Sequence, residues 1–323
     1  MTSICIFGAG AIGGYVGARL AMMGECEVSL VARGAHLAAM KANGLVLKQG
    51  GETYSLHPKV TDDPNTLGPQ DYIILTLKAH AVSGVIDQMQ PLIGPHTSIL
   101  FAQNGVPWWY FHGAGAPYEG HQLESVDPGG IIWKRIGPDR ALGSVVWQAA
   151  EIESPGVITH HYGDRMPIGE PNGEKSDRSA LLSRLLTSAG VKSPVRPNLR
   201  NEIWLKLWGN LSFNPVSVLT QGTLIDLATD AGTRRVIRAM MEEAKVIGEA
   251  LGITFAVGVD ERMDMAAKVG AHRTSMLQDV EAGRPTELEA LLGVVIELGR
   301  LVKCDTPSLQ LVYDLAKFRS RTG

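Results

Sequence analysis

Ile4-Cys5-Ile6-Phe7-Gly8-Ala9-Gly10-Ala11-Ile12-Gly13 is the stretch whose reading decides the fold. A short apolar strand runs straight into a GxGxxG, and the residues beyond it read as a helix. Strand, glycine turn and helix in that order make a dinucleotide site. Gly8 allows the tight turn, Gly10 lets the backbone approach a pyrophosphate, and Gly13 permits close packing of helix on strand. The helix start aims free N–H groups at the phosphates, so Gly8, Ala9, Gly10, Ala11, Ile12 and Gly13 are the candidate phosphate-binding residues. Glycine is abundant, 37 of 323 residues, and turns use it freely, so the motif alone says little. Its place on the first strand of an α/β pattern gives it weight.

The cofactor type is read one strand later. Glu27 to Ala32 forms the second strand, and the next residue is Arg33, where an NAD enzyme carries Asp or Glu for the ribose 2′-hydroxyl. A guanidinium suits a 2′-phosphate, which it grips through a bidentate charged pair, and gains little from a bare hydroxyl. The pattern favours NADP(H). The plainer alternative for Arg33 is a solvated charge at a strand end.

From residue 1 to about 105 strands and helices alternate. Tyr72 to Leu77 and Ser98 to Ala102 are short apolar runs bounded by turn residues, as buried parallel strands are. Residues 106 to 140 mix Pro, Gly, Trp and Tyr without a period and read as a long loop or small excursion. Ala141 to Gly169 holds β-like runs, Gly143 to Trp147 and Gly156 to His160, expected to extend the sheet. The texture changes near Pro194 to Asn198. Beyond it apolar residues recur at helical spacing over about 200–220, 229–252, 257–271, 285–303 and 307–318, the last opened by Thr306-Pro307 as N-cap and first helical residue. The expectation is an α/β Rossmann-type doubly wound N-terminal domain, 1–197, followed by an all-helical C-terminal domain, 198–323.

Composition narrows the function classes. A chain with 45% hydrophobic and 20% charged residues is an ordinary globular one, and a net charge of −3 with no Lys/Arg run between aromatics argues against nucleic acid. No stretch has the ~18 uncharged apolar residues of a membrane span, and no basic, cleavable leader precedes the first strand, so cytoplasm is the default expectation. Cys5, Cys26 and Cys304 are too scattered for a disulfide framework, and the nine histidines show no metal-ligand spacing; no metal is expected. The helical half has apolar content enough for a homodimer, while the sequence does not fix the oligomeric state.

Two segments carry chemistry. On a helix, Lys206, Asn210 and Asn214 fall at i, i+4 and i+8 on one face, flanked by Leu205, Leu207, Trp208 and Leu211. A buried ammonium beside two amides is costly unless an anionic or carbonyl-bearing partner sits there, whereas a solvent-facing stripe has the same spacing. Ser275 and Glu287 form the second set, in Ser275-Met-Leu-Gln-Asp279 and Arg284-Pro-Thr-Glu287. Taken alone, Glu287 reads as a carboxylate in the first turn of a helix starting near Thr286, favoured by the helix dipole.

Together these motifs resemble the ketopantoate reductase (2-dehydropantoate 2-reductase) family. The resemblance runs from Gly8 to Glu287 through GAGAIGG at 8–14, Arg33, Leu77-Lys78-Ala79, Gln103-Asn104-Gly105, Lys206 with Asn210 and Asn214-Pro215, Ser275 to Asp279 and Arg284 to Glu287. It implies reduction of a 2-oxo acid by NADPH, most simply ketopantoate to pantoate on the pantothenate and coenzyme A route. It makes Lys206 the catalytic acid, has Asn210, Asn214 and Ser275 hold the substrate, gives Glu287 a supporting catalytic role, and sets Lys78 and Asn104 against cofactor and substrate. The chain departs from the family between Asn104 and Gly143, where it carries Trp108-Trp109-Tyr110, expected to line the substrate side of the cleft, and some thirty further residues. A reductase of another 2-oxo acid, and a non-catalytic NADP-binding sensor, are the alternatives. A sensor has no need for a proton donor such as Lys206.

Overall fold

In the computed structural model, which describes residues 1–322, the run Ile4 to Phe7 is wholly buried in β1 (Thr2–Phe7), the strand on which the N-terminal fold is wound. The chain continues through α1 (Ala11–Met23), β2 (Cys26–Val31), α2 (Gly34–Asn43), β3 (Leu45–Gln49), β4 (Glu52–Leu56), β5 (Lys59–Thr61) and β6 (Gln70–Leu75). A one-turn α3 (Ile86–Met89) leads to β7 (Ile93–Phe101), and α4 (Ile131–Arg135) to β8 (Ala141–Ser144). Then come β9 (Ala149–Ser154), β10 (Val157–Tyr162), β11 (Ile168–Gly169) and α5 (Asp177–Ser188). Seven strands form one sheet in the order β11-β8-β7-β6-β1-β2-β5, parallel except for β11. β1 therefore lies between β2 and β6, at the switch point beyond whose carboxyl end α/β sheets bind ligands. The expected Rossmann-type sheet is present.

One strand is placed differently from the sequence reading. β8 extends the main sheet, but β10 does not: it pairs parallel with β3 and antiparallel with β9 in a separate four-stranded sheet, β4-β3-β10-β9. The reason is α1, which is covered on two sides. A Cβ added at Gly13 would meet Ile6, and one at Gly17 would lie 2.5 Å from Leu30, so these glycines press α1 onto the main sheet. A Cβ at Gly14 would lie 2.7 Å from Ile158 of β10, so the second sheet closes over the opposite flank. Helix and sheets approach this closely only where a helix surface lacks side chains.

The helical part comprises α6 (Leu199–Thr220), α7 (Leu224–Thr229), α8 (Ala231–Ala250), α9 (Val259–Val269) and α10 (Ser275–Glu281). A π-helical turn (Glu289–Gly293) then runs into α11 (Val294–Leu301), and α12 (Pro307–Thr322) follows. Trp208 of α6 is fully buried and its indole N–H donates to the Met241 carbonyl of α8 at 2.8 Å, which fixes the two long helices against each other. Pro307 opens α12 as expected, and the next free N–H groups, of Ser308 and Leu309, are taken by the Glu243 carboxylate of α8 at 2.8 and 3.0 Å. α7 and α10 are short additions that periodicity did not reveal. No described helix is long and apolar enough to cross a membrane.

The chain divides into two compact units. One holds Met1–Gln103, Trp109–Gln122 and Ile131–Leu199; the other holds Asn104–Trp108, Leu123–Gly130 and the chain from Arg200 onward. The segment read as a loop thus shuttles between units. Glu124 and Ser125 belong to the helical unit because their N–H groups donate to the Glu297 carboxylate of α11, at 2.8 and 2.9 Å.

Candidate active site

The glycine turn behaves as its spacing requires. Gly8 has φ +100, a region costly for any residue with a Cβ, and a Cβ there would also lie 2.6 Å from Leu77. Gly10, with nothing within 4 Å of an added Cβ, faces open space, the cradle a phosphate needs. No side chain caps α1, so the N–H groups of Ala11, Ile12 and Gly13 at its first turn have no intrahelical acceptor. Thr76 Oγ1 donates to the Gly8 carbonyl at 2.5 Å and holds the turn from below. His36 of α2 also fixes it: its Nδ1 accepts the Gly156 N–H at 2.9 Å, so its Nε2 carries the proton and donates to the Ala9 carbonyl at 2.8 Å. Burial lowers the His36 pKa and favours that neutral form.

Arg33 follows β2 directly as the residue before α2, and its exposed guanidinium has no hydrogen bond or ion pair among the described residues. Lys78 lies just past the carboxyl end of β6, half-buried. Both occupy the end of the sheet where the glycine turn lies.

In the helical unit α6 presents the polar face expected of it. Lys206 Nζ donates to Asn104 Oδ1 at 2.7 Å, and Asn104 Nδ2 donates to Glu287 Oε2 at 3.1 Å, so one amide links the ammonium and the carboxylate. Asn104, grouped on sequence with the cofactor contacts, is thus built into the Lys206 cluster. Gly105 makes this possible. It has φ +91, a Cβ on it would collide with the Ala290 carbonyl of the π-turn, and the adjacent Val106 N–H donates to that carbonyl at 3.1 Å. The close approach pins the Asn104 turn to the element that Glu287 precedes. Glu287 is not in a first turn, as expected from sequence, but immediately before the helix, where its carbonyl accepts the Leu291 N–H at 3.0 Å.

Burial pulls the Lys206 ammonium down from 10.5 to about 8, and the negative charge of Glu287 opposes part of that shift. The solvent-facing reading of the stripe is excluded: Lys206 and Asn210 are half-buried and Asn214 is buried. Neither asparagine amide has a side-chain hydrogen bond among the described residues. Ser275 is the exposed first residue of α10. Its neighbour Thr274 meets Ser217 of α6, hydroxyl to hydroxyl at 2.5 Å, which ties the start of α10 to the helix that carries Asn214.

The Trp108-Trp109-Tyr110 expectation is not met. All three side chains are at most 2% exposed, and Trp109 packs over Gly143, where a Cβ would collide with the indole ring. They fill core rather than line an open pocket. Among the described residues no group of three or more His, Cys, Asp or Glu is arranged to hold a metal ion.

Comparison with known proteins agrees with this geometry. The family profile Ketopantoate reductase PanE/ApbA matches residues 4–109, and Ketopantoate reductase PanE/ApbA C terminal matches 198–320. The chain is 54% identical to the 2-dehydropantoate 2-reductase of Mesorhizobium japonicum, over 97% of this chain and 96% of that one. It is 40% identical to a solved protein of Ralstonia solanacearum MolK2 assigned to the ketopantoate reductases, covering 100% of this chain and 98% of that one with a TM-score of 0.94. D-mandelate dehydrogenase, solved with NADH and anilino(oxo)acetate, shares the fold at 21% identity over 99% of this chain and 98% of that one, with a TM-score of 0.82. A glycine turn at the switch point of a parallel sheet, a lysine–asparagine–glutamate cluster on a helical unit and these matches place the chain in the ketopantoate reductase family of NAD(P)H-dependent oxidoreductases.

Proposed function

We propose that this chain reduces 2-dehydropantoate to pantoate with NADPH, the step that feeds pantothenate and coenzyme A synthesis. The observation that carries the reading is the Lys206–Asn104–Glu287 cluster, with an ammonium whose pKa of about 8 suits proton donation near neutrality. When bound, NADPH supplies the hydride. Its phosphates fit the open cradle at Gly10 and the N–H groups at the start of α1, with Gly8, Ala9, Ala11, Ile12 and Gly13 shaping the turn and Lys78 at the neighbouring strand end. The free guanidinium of Arg33 would grip the 2′-phosphate, which is the reason for NADPH over NADH.

The remaining work falls to the helical unit. Lys206 Nζ would donate a hydrogen bond to the ketone oxygen, stabilise the charge that develops as hydride reaches the carbon, and pass its proton to that oxygen to complete the alcohol. Asn104 holds the ammonium in place, and Glu287 keeps it charged. Asn210 and Asn214 offer their unengaged amides, and Ser275 its hydroxyl, to the rest of the substrate. On this reading residues 1–197 hold the cofactor and residues 198–323, joined by Asn104, act on the substrate.

The test is turnover of NADPH and NADH against 2-dehydropantoate and a panel of other 2-oxo acids. A higher kcat/KM for 2-dehydropantoate with NADPH than for any other pair is expected. Faster reduction of a different oxo acid would overturn the substrate, and a preference for NADH would overturn the role of Arg33.

A further inference from the structure

Pro215 interrupts the hydrogen-bond ladder of α6 directly after Asn214. It has no N–H to give the Leu211 carbonyl one turn back, so at this point the helix loses a bond between the part that carries Lys206 and Asn210 and the part that follows. A helix bends most readily at such a break. The angle is then set by whatever ties the far part to its surroundings.

That tie is a chain of three hydrogen bonds. Ser217, two residues past the proline, donates its hydroxyl to the Asn214 carbonyl at 2.7 Å. Its oxygen lies 2.5 Å from Thr274 Oγ1, and Thr274 Oγ1 accepts the Leu277 N–H at 3.2 Å as the N-cap of α10. A hydroxyl has one proton to donate. Ser217 uses its proton on Asn214, so Thr274 is the donor between the two hydroxyls. The order is fixed throughout: Leu277 N–H to Thr274, Thr274 to Ser217, Ser217 to the Asn214 carbonyl. Ser217, Thr274 and Asn214 are all buried, and away from water the bonds of such a chain strengthen one another. One end of the chain is the backbone of Asn214. The other is the first turn of α10, where Ser275 stands.

From this arrangement we infer that Ser217 and Thr274 are positioning residues for the substrate, setting the separation between Asn214 and Ser275. The inference rests on the reading that Asn214 and Ser275 hold the substrate. Neither Ser217 nor Thr274 touches it; each acts through the backbone that it fixes. Two groups that grip one small molecule from different helices do so well at one spacing only, and an error of about 1 Å is costly. A helix interrupted at proline does not supply that spacing by itself, whereas the hydroxyl pair does.

The experiment measures KM and kcat for 2-dehydropantoate, NADPH Kd and Tm in Ser217→Ala, Thr274→Val and Thr274→Ser, with Ser212→Ala as control. Ser212 is buried on the same helix, but its hydroxyl donates to the α6 carbonyls of Trp208 and Gly209, at 2.9 and 3.2 Å, and not to α10. Ser217→Ala and Thr274→Val should each raise KM about 10-fold, with kcat and NADPH Kd near wild type. Thr274→Ser keeps the hydroxyl and should have the wild-type KM. Ser217→Ala combined with Thr274→Val should be no worse than either alone, because both break one chain. Ser212→Ala should lower Tm and leave KM unchanged. An unchanged KM in Ser217→Ala and Thr274→Val, losses that add in the double variant, a Thr274→Ser protein as impaired as Thr274→Val, or an equal rise of KM in Ser212→Ala overturns the inference and leaves the pair as core hydrogen bonds. If Thr274→Val does not fold, Ser217→Ala against Ser212→Ala decides in the same way. A wild-type protein that turns over no 2-oxo acid overturns the functional reading itself, and this inference with it.

Discussion

Lys206, the proposed acid, has the burial that its role requires. An ammonium in water holds its proton too firmly to lose it readily near neutrality; enclosure on α6 brings its pKa to about 8, while Glu287 keeps it from falling further. The sign of the pH dependence follows. If Lys206 is the acid, as proposed, reduction needs the protonated amine, so kcat/KM for the oxo acid should be level below about 8 and fall as pH rises through that value. Oxidation of the hydroxy acid by NADP⁺ needs the neutral amine and should rise over the same interval. Initial rates in both directions across this range provide the check, and parallel profiles would remove Lys206 as the proton carrier. Arg33 yields a second prediction at this scale. Arg33→Ala should weaken NADPH binding about 10- to 100-fold and leave NADH nearly unmoved, read by titrating each cofactor. Equal losses for both would show that the guanidinium does not meet the 2′-phosphate.

At the scale of elements, what was legible in the sequence is what a single local period encodes. The glycine turn and the Lys206, Asn210, Asn214 stripe each lie within one strand–helix unit or one helix, so spacing alone finds them. The link between Asn104 and Lys206 could not be read that way, because it depends on Gly105 approaching the π-turn backbone far along the chain. The second sheet was missed although one signal for it was present. Gly50-Gly51, with φ of +60 and +84, is a two-residue hairpin turn joining β3 to β4. The aromatic segment misled because Trp and Tyr suit cores and ligand walls alike; burial alone distinguishes the two. Gly105 gives the prediction at this level. Gly105→Ala adds a Cβ at φ +91 against the Ala290 carbonyl, a strain of about 1–3 kcal/mol, and shifts Asn104 away from Lys206. Lower Tm with a drop in kcat and an unaltered NADPH Kd is expected. Wild-type kcat in that variant would show that the Asn104 link has no part in turnover.

For the whole molecule, two units differ in texture: a parallel sheet whose switch point carries the glycine turn, and a helical unit whose longest helix carries the polar face. The family relation fixes the class of reaction, and within the helical unit Asn104 and Glu287 are linked to Lys206, the proposed acid. Lys206→Ala measured with NADPH and 2-dehydropantoate is therefore the decisive measurement. The variant should bind NADPH as wild type does and lose roughly 10²–10⁴-fold in kcat, and Lys206→Arg should not restore the rate, because guanidinium does not release its proton. A folded Lys206→Ala protein that turns over 2-dehydropantoate at close to the wild-type rate would contradict the assignment of Lys206 as the acid.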